Sequence, residues 1–192
     1  MEINPREAGF GRLDFAQLFG NTNPVILEIG SGKGRFLIAT ATERPDLNVI
    51  GIEKALHYHR VIRARVQKRN LTNLCLINHD AFLVLREMIP DASLSEVHIY
   101  FPDPWPRKKE RKRRIIRPEV LEQLRRVLVP GGAAIYVTDH HEYYEAVAPI
   151  IEEWFPKSER RTPGPDDPPR TNYEAKYREE GRPIFEMRFW NE

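Results

Sequence analysis

The chain has 192 residues, 41% apolar and 30% charged, with a formal net charge of +2; that length suits one domain with a substantial core, so a single domain over 1–192 is expected, with 1–20 as a short N-terminal leader and helix. No apolar run approaches the roughly 18 residues that span a bilayer, residues 1–10 lack the basic-then-apolar layout of a secretion signal, and the single cysteine, Cys75, excludes an internal disulfide. The expectation is a cytoplasmic protein with no membrane partner, and with no metal, because no Cys/His cluster has ligand spacing.

Behind the polar leader, residues 11–19 read as a brief helix. Pro24 then opens an apolar, β-branched run at 25–29, too short for a typical helix and read as a buried strand. Helical periodicity at 34–43 is followed by a strand at 48–53, a helix at 56–69, a strand at 74–78, a helix at 81–88, a strand at 96–101 and a helix at 118–127. The turn Pro130-Gly131-Gly132 opens a strand at 133–138. Strands alternating with helices imply parallel βαβ units in a doubly wound α/β sheet covered on both faces. A helix at 142–154 continues the pattern, and four prolines within 163–169 mark a loop. The aromatic alternation of 183–190 reads as a final edge strand that buries Ile184, Met187 and Phe189.

The segment Glu28-Ile29-Gly30-Ser31-Gly32-Lys33-Gly34 stands where the first strand yields to a helix, at the ligand-binding crevice of an open α/β sheet. Its spacing is G-x-G-x-G, and Arg35 occupies the place where a dinucleotide fingerprint needs its third glycine. Glu53, closing the second strand, is placed to accept from ribose hydroxyls, and Asp80, after the third, from an adenine amine. Glu28 offers another carboxylate. Such crowding opposes a pyrophosphate and suits S-adenosylmethionine, which has no phosphate and carries ammonium and sulfonium charges. Taken singly, each acid reads equally as a strand-end polar group or a helix cap.

The fourth strand ends in Phe101-Pro102-Asp103-Pro104-Trp105-Pro106, whose prolines exclude helix interior and central strand. A rigid loop here projects Asp103 and Trp105 from the carboxyl edge of the sheet. A carboxylate can accept two hydrogen bonds from a guanine Watson-Crick edge, and an indole offers a stacking face, or else simply anchors the loop. Residues 107–117 then hold eight basic residues and one acid, a charge of +7 that leaves −5 for everything else. Charge concentrated beside a reaction site points to a polyanionic partner, and about six phosphate contacts would give log affinity against log salt a slope of roughly −5.

From about Leu13 onward, and most specifically in FPDPWPRKKERKRR at 101–114, the sequence resembles the tRNA (guanine-N7)-methyltransferases. The resemblance implies a Rossmann-like class I methyltransferase fold, with a mostly parallel seven-stranded sheet whose last strand is antiparallel. It implies S-adenosyl-L-methionine as cofactor, held at the Gly30 and Gly32 loop and by Glu28, Glu53, Asp80 and Asp103, with Asp103 also catalytic. The implied acceptor is N7 of the variable-loop guanine, guanosine-46, of tRNA. Asp139 and the T-x-Y-E stretch Thr171, Asn172, Tyr173 and Glu174 are implied to hold the substrate, and Lys109, Arg111, Lys112, Arg113 and Arg114 to contact RNA. Arg107 stands where the family usually has a lysine, which replaces an ammonium point charge by a planar guanidinium.

Guanine N7 carries an in-plane lone pair and no hydrogen, so methyl transfer to it needs no general base at the attacking atom; His140 and His141 are therefore left out of the site. An exocyclic-amine methyltransferase would carry a motif like D/N-P-P-Y, whereas here Asp103-Pro104-Trp105 lacks the second adjacent proline. A non-catalytic RNA-binding module is opposed by the intact glycine loop and acids, and a nicotinamide dehydrogenase by the glycine spacing. With cofactor and RNA residues in one chain, no obligatory protein partner is expected.

Overall fold

The computed structural model describes residues 1–5, 9–164 and 166–192. In chain order its elements are β1 (Glu2–Ile3), α1 (Phe15–Phe19), β2 (Val25–Ile29), α2 (Arg35–Glu43), β3 (Asn48–Ile52), α3 (Leu56–Lys68), β4 (Leu74–Ile77), α4 (Ala81–Glu87) and β5 (Leu94–Tyr100). A 3-10 helix (Lys108–Arg113) follows, then α5 (Pro118–Val127), β6 (Leu128–Thr138), α6 (His141–Trp154), β7 (Ser158–Arg161), α7 (Asn172–Glu179) and β8 (Phe185–Trp190). None of the helices among these residues is long and apolar enough to cross a membrane.

The strands form one sheet in the order β1-β4-β3-β2-β5-β6-β8-β7. Pairing is parallel from β1 through β6, and β8 runs antiparallel to both β6 and β7. The order reverses between β2 and β5, so the loops after these two neighbouring strands share the switch-point crevice. Those loops carry the glycine run and the Asp103 run.

Successive strand residues point to opposite faces, and each face has its own helices. Leu27, Ile50, Cys75, Val97 and Tyr136 pack with α4, α5 and α6, burying Val84, Leu121 and Val147. Ile26, Val49, Leu74 and Leu76 pack with Leu37 and Ile62 of α2 and α3. Each of these side chains is almost wholly withdrawn from water, worth about 1.5–3 kcal/mol apiece for the larger aliphatics before the entropy cost of ordering.

The sheet has eight strands where seven were expected. The extra one is β1, two residues long, laid parallel to β4. The strand 183–190 does bury Ile184, Met187 and Phe189, but it is an interior strand between β6 and β7. Its outer partner β7 reads Ser-Glu-Arg-Arg and shows no apolar alternation, so it is visible only through the partner it pairs with. The helix expected at 11–19 starts at Phe15 because the Asp14 side chain accepts from Gln17 N at 3.0 Å and caps it. The described residues of the 163–169 loop form neither helix nor strand, and Pro165 lies outside them. Asp167 in that loop pairs with Arg161 at 2.6 Å, and its carbonyl accepts from Arg178 of α7 at 2.7 Å.

Candidate active site

The turn after β2 adopts left-handed backbone at Gly30 (φ 77°), Gly32 (φ 52°) and Gly34 (φ 72°). Two of these glycines are required for distinct reasons. No atom lies within 4 Å of where a Gly30 Cβ would stand, so a side chain there would be strained and would enter the open crevice; at Gly34 a Cβ would meet Ile62 at 2.9 Å and push α3 away. Glu53 secures the same turn, accepting from Gly32 N at 2.8 Å through Oε2 and from Ala55 N at 2.7 Å through Oε1. Each oxygen keeps a lone pair for a further donor such as a ribose hydroxyl.

Glu28 is 3% exposed, and its Oε2 is buried with no hydrogen-bond partner among the described residues. Burial pushes its carboxyl up to about 8, and the charge of Glu53 adds to the shift. It lines a cavity of about 310 Å³ together with Gly30, Gly32, Tyr58, Tyr100 and Tyr173. An orphaned carboxyl oxygen in a cavity calls for a cationic donor, and the ammonium of an amino-acid group fits that need.

A second cavity, about 740 Å³, adjoins the first through Gly30 and Gly32 and is bordered by Glu53, Asp80, Asp103 and Trp105. Asp80 borders this cavity and has structural partners as well. Its Oδ1 caps α4 by accepting from Phe82 N at 3.1 Å and Leu83 N at 3.4 Å, and its Oδ2 pairs with Lys54 at 3.2 Å. Burial alone would raise its carboxyl; the Lys54 pair and the cap bonds outweigh that and hold it below the ordinary value.

Asp103 is exposed on the wall of this larger cavity, between two residues in left-handed backbone, Phe101 (φ 49°) and Trp105 (φ 42°). Each such bulky residue costs about 1–3 kcal/mol and persists only where surroundings enforce it. The enforcing contacts are on both sides. Phe101 N donates to Val137 O at 2.7 Å and its ring meets Tyr177 edge-on, while the Arg113 guanidinium lies 4.8 Å over the Trp105 ring. One indole face is thereby covered by the protein itself.

The basic run is a 3-10 helix, and its cations divide into classes. Arg107, Lys109, Lys112 and Arg113 are exposed, and Arg113 also lines the larger cavity. Arg111 pairs with Glu142 at 2.7 Å. Arg114, expected to contact RNA, is 5% exposed; Nε donates to Pro104 O at 2.7 Å and the guanidinium lies 4.4 Å over Tyr143. It fastens the Asp103 loop and presents no charge to a solvent-borne ligand.

The 171–174 stretch also divides. Thr171, Asn172 and Tyr173 all border the smaller cavity, and a Tyr58 hydrogen bond, with burial adding to it, pushes the Tyr173 hydroxyl up to about 12. Thr171 is the N-cap of α7, accepting from Glu174 N at 3.0 Å. Glu174 is fully buried, with Arg170 Nε at 3.1 Å and Arg178 Nη2 at 2.7 Å, so it holds the helix in place and does not reach a substrate. Arg170 also pairs with Glu186 of β8 at 2.7 Å and covers the Tyr100 ring at 5.2 Å. Asp139 borders neither cavity and accepts from Arg182 at 3.1 Å. Tyr58, Tyr100 and Arg170 escaped the sequence reading. The only available signal was an aromatic at the last position of β5 and another in the first turn of α3, the places where side chains overhang the carboxyl edge.

Residues 22–187 match a family model described as "Putative methyltransferase". The chain is 38% identical over 185 residues to a tRNA (guanine-N(7)-)-methyltransferase of Pseudoalteromonas atlantica, covering 93% of this chain and 77% of that protein. It is 37% identical over 183 residues to a protein of the same name from Actinobacillus pleuropneumoniae, covering 92% and 73%. Among solved structures, that of the 16S rRNA methyltransferase KamB superposes with a TM-score of 0.67 at 17% identity, covering 95% of this chain and 94% of that one. A phosphoethanolamine N-methyltransferase 2 of Haemonchus contortus, solved with S-adenosyl-L-methionine, gives 0.60 at 15% identity over 93% of this chain and 51% of that one. These structural likenesses carry the class I methyltransferase fold.

Proposed function

The chain belongs to the tRNA (guanine-N7)-methyltransferase family, and from that premise we propose that it methylates the variable-loop guanine, guanosine-46, through the site just described. The reaction of the family is transfer of a methyl group from S-adenosyl-L-methionine to N7 of a tRNA guanine. Which residues perform it is our reading. We take residues 1–192 as one methyltransferase domain, acting in the cytoplasm without an obligatory protein partner; cofactor-facing acids, the base-facing loop and the cations all lie in this chain.

The observation that carries the assignment is the pair of loops leaving β2 and β5 at the switch point, which border two cavities that share Gly30 and Gly32. The smaller cavity suits the amino-acid end of the cofactor, with Glu28 accepting from its ammonium. Glu53, at the junction, accepts from the ribose hydroxyls while holding the Gly32 amide. Asp80 borders the larger cavity as the cap of α4, and Tyr58 and Tyr173 close over both cavities.

When bound, the cofactor supplies a methyl group on a positively charged sulfur. The protein's part is to orient the base and stabilise the charge it acquires. Positioning N7 in line with the transferred methyl contributes through orientation, worth several kcal/mol. As N7 takes the methyl group, the base becomes cationic and its N1–H more acidic. A carboxylate at Asp103 facing that edge binds the transition state more strongly than the ground state. Tyr173 borders the same cavity as Asp103 and Asn172 the adjoining smaller one, and Arg107, Lys109, Lys112 and Arg113 hold the adjoining phosphates.

The assay is transfer of radiolabelled methyl from S-adenosylmethionine to unmodified tRNA transcripts, with borohydride and aniline cleavage to map N7-methylguanine. Cleavage at one variable-loop guanine is expected. Label at an exocyclic amine, or at a guanine elsewhere, would overturn the assignment of acceptor or position.

A further inference from the structure

We propose that the groove between α2 and α3 is a second track for the phosphate backbone of the substrate tRNA, opposite the 107–117 run. The proposal rests on the tRNA reading above. Between Glu53 and Asp80 the sequence has no acid at all, and residues 54–69 carry six cations, a charge of +6. With +7 in residues 107–117 and +2 overall, the rest of the molecule carries −11. An ordinary solvated helix mixes signs and forms i,i+4 pairs. Helix α3 does not: Arg60, Arg65, Lys68 and Arg69 are exposed, and none has a carboxylate within 4.0 Å among the described residues.

The cations on one side of α3 form a row. Arg65 Nη1 donates to Lys33 O at 2.8 Å, and Arg69 Nη1 donates to Arg65 O at 3.2 Å, so each guanidinium is anchored to a backbone carbonyl and retains donors. Together with Arg35 of α2 they line a groove of about 510 Å³ that contains one acid, Glu43. The upper end of this groove is continuous with the cofactor cavity, because both are bordered by Gly34, Arg35 and Asn172. At the other end of the site, Arg113 and Arg117 border the larger cavity.

A guanine seated at Asp103 therefore has cations on both sides, as a backbone continuing 5′ and 3′ from the flipped base requires. Helix α3 is 13 residues long, which is about 20 Å, enough to follow several phosphates.

The test compares wild type, a Lys68→Gln/Arg69→Gln double variant and an Arg125→Gln control. Arg125 is exposed on α5, across the sheet from the groove. Equilibrium binding of an unmodified tRNA transcript is measured from low to moderate salt, and S-adenosylmethionine affinity is measured in parallel as a check of folding. The double variant should bind tRNA about tenfold more weakly, with a log–log salt slope shallower by roughly 1.5, while Arg125→Gln follows wild type and all three bind the cofactor equally. A double variant that tracks Arg125→Gln would overturn the second track and leave the tRNA reading standing, the groove then serving some other partner or none. A wild-type chain that neither binds nor methylates tRNA would overturn both.

Discussion

Arg114 Nε donates to the Pro104 carbonyl at 2.7 Å, so the most buried cation of the basic run is a fastener of the loop that carries Asp103. Replacing it by Met should cost about 1–3 kcal/mol of stability, from the lost charged hydrogen bond and the contact with Tyr143. The transfer rate should fall as the Asp103 loop loosens, with the salt dependence of tRNA binding unchanged. Urea unfolding and a salt titration decide the matter; a slope that drops by about 0.7–0.9 would make Arg114 a phosphate contact after all.

Asp103 is held between two strained residues, and its carboxylate is exposed to the cavity that the base would enter. Both Asp103→Ala and Asp103→Asn should lower the single-turnover rate by roughly 10²-fold or more, the scale of removing one preorganised transition-state partner. Cofactor affinity should change far less. Equal losses in rate and cofactor affinity would make Asp103 chiefly a cofactor ligand.

Glu28 makes cofactor uptake dependent on pH. Its free carboxyl is raised to about 8 by burial, so below that pH it holds a proton that a bound ammonium displaces. The affinity for S-adenosylmethionine should therefore fall as pH drops from 8 to 6, and near pH 6.5 binding should release up to about one proton. Calorimetry in buffers of different ionisation enthalpy measures this number directly. Glu28→Gln should bind more weakly and release none; release equal to wild type would remove Glu28 from the cofactor site.

Glu174 is clamped by Arg170 and Arg178, and truncating one member of a buried ionic cluster leaves the others uncompensated. Glu174→Ala should lose about 3 kcal/mol in urea unfolding, together with a higher KM for tRNA as α7 shifts. Burial by itself would raise the carboxyls of Glu174 and Glu186, but their arginine partners outweigh it and hold both below 4.5. Their contribution is thus present above the unfolded value and lost as pH falls below about 4.5 through the folded one. A variant with unchanged stability and a raised KM would return Glu174 to direct substrate contact.

The alternation of apolar runs made the parallel sheet legible, because each central strand is buried on both faces and each helix must cover it. The two site loops were legible for a related reason: glycine and proline runs at strand ends restrict the backbone wherever they occur. Roles decided by partners far along the chain were not. Nothing local distinguishes Arg114 from its exposed neighbours, since its burial depends on Tyr143 and Pro104. Glu174 reads as a helix-surface acid until Arg170 and Arg178 close on it. The cap that Asp80 makes and its pair with Lys54 were likewise hidden, because capping and ligand contact both favour a carboxylate at that turn.

The placement of β8 between β6 and β7 sets a timetable. A ribosome releases β2 to β6, with both site loops, well before the strand that must slide in beside β6. Until Glu186 arrives with that strand, Arg170 lacks its second anchor and β7 has no neighbour to pair with. The nascent protein can thus assemble its glycine turn early, yet the α7 wall of the cavity settles only after β8 has emerged.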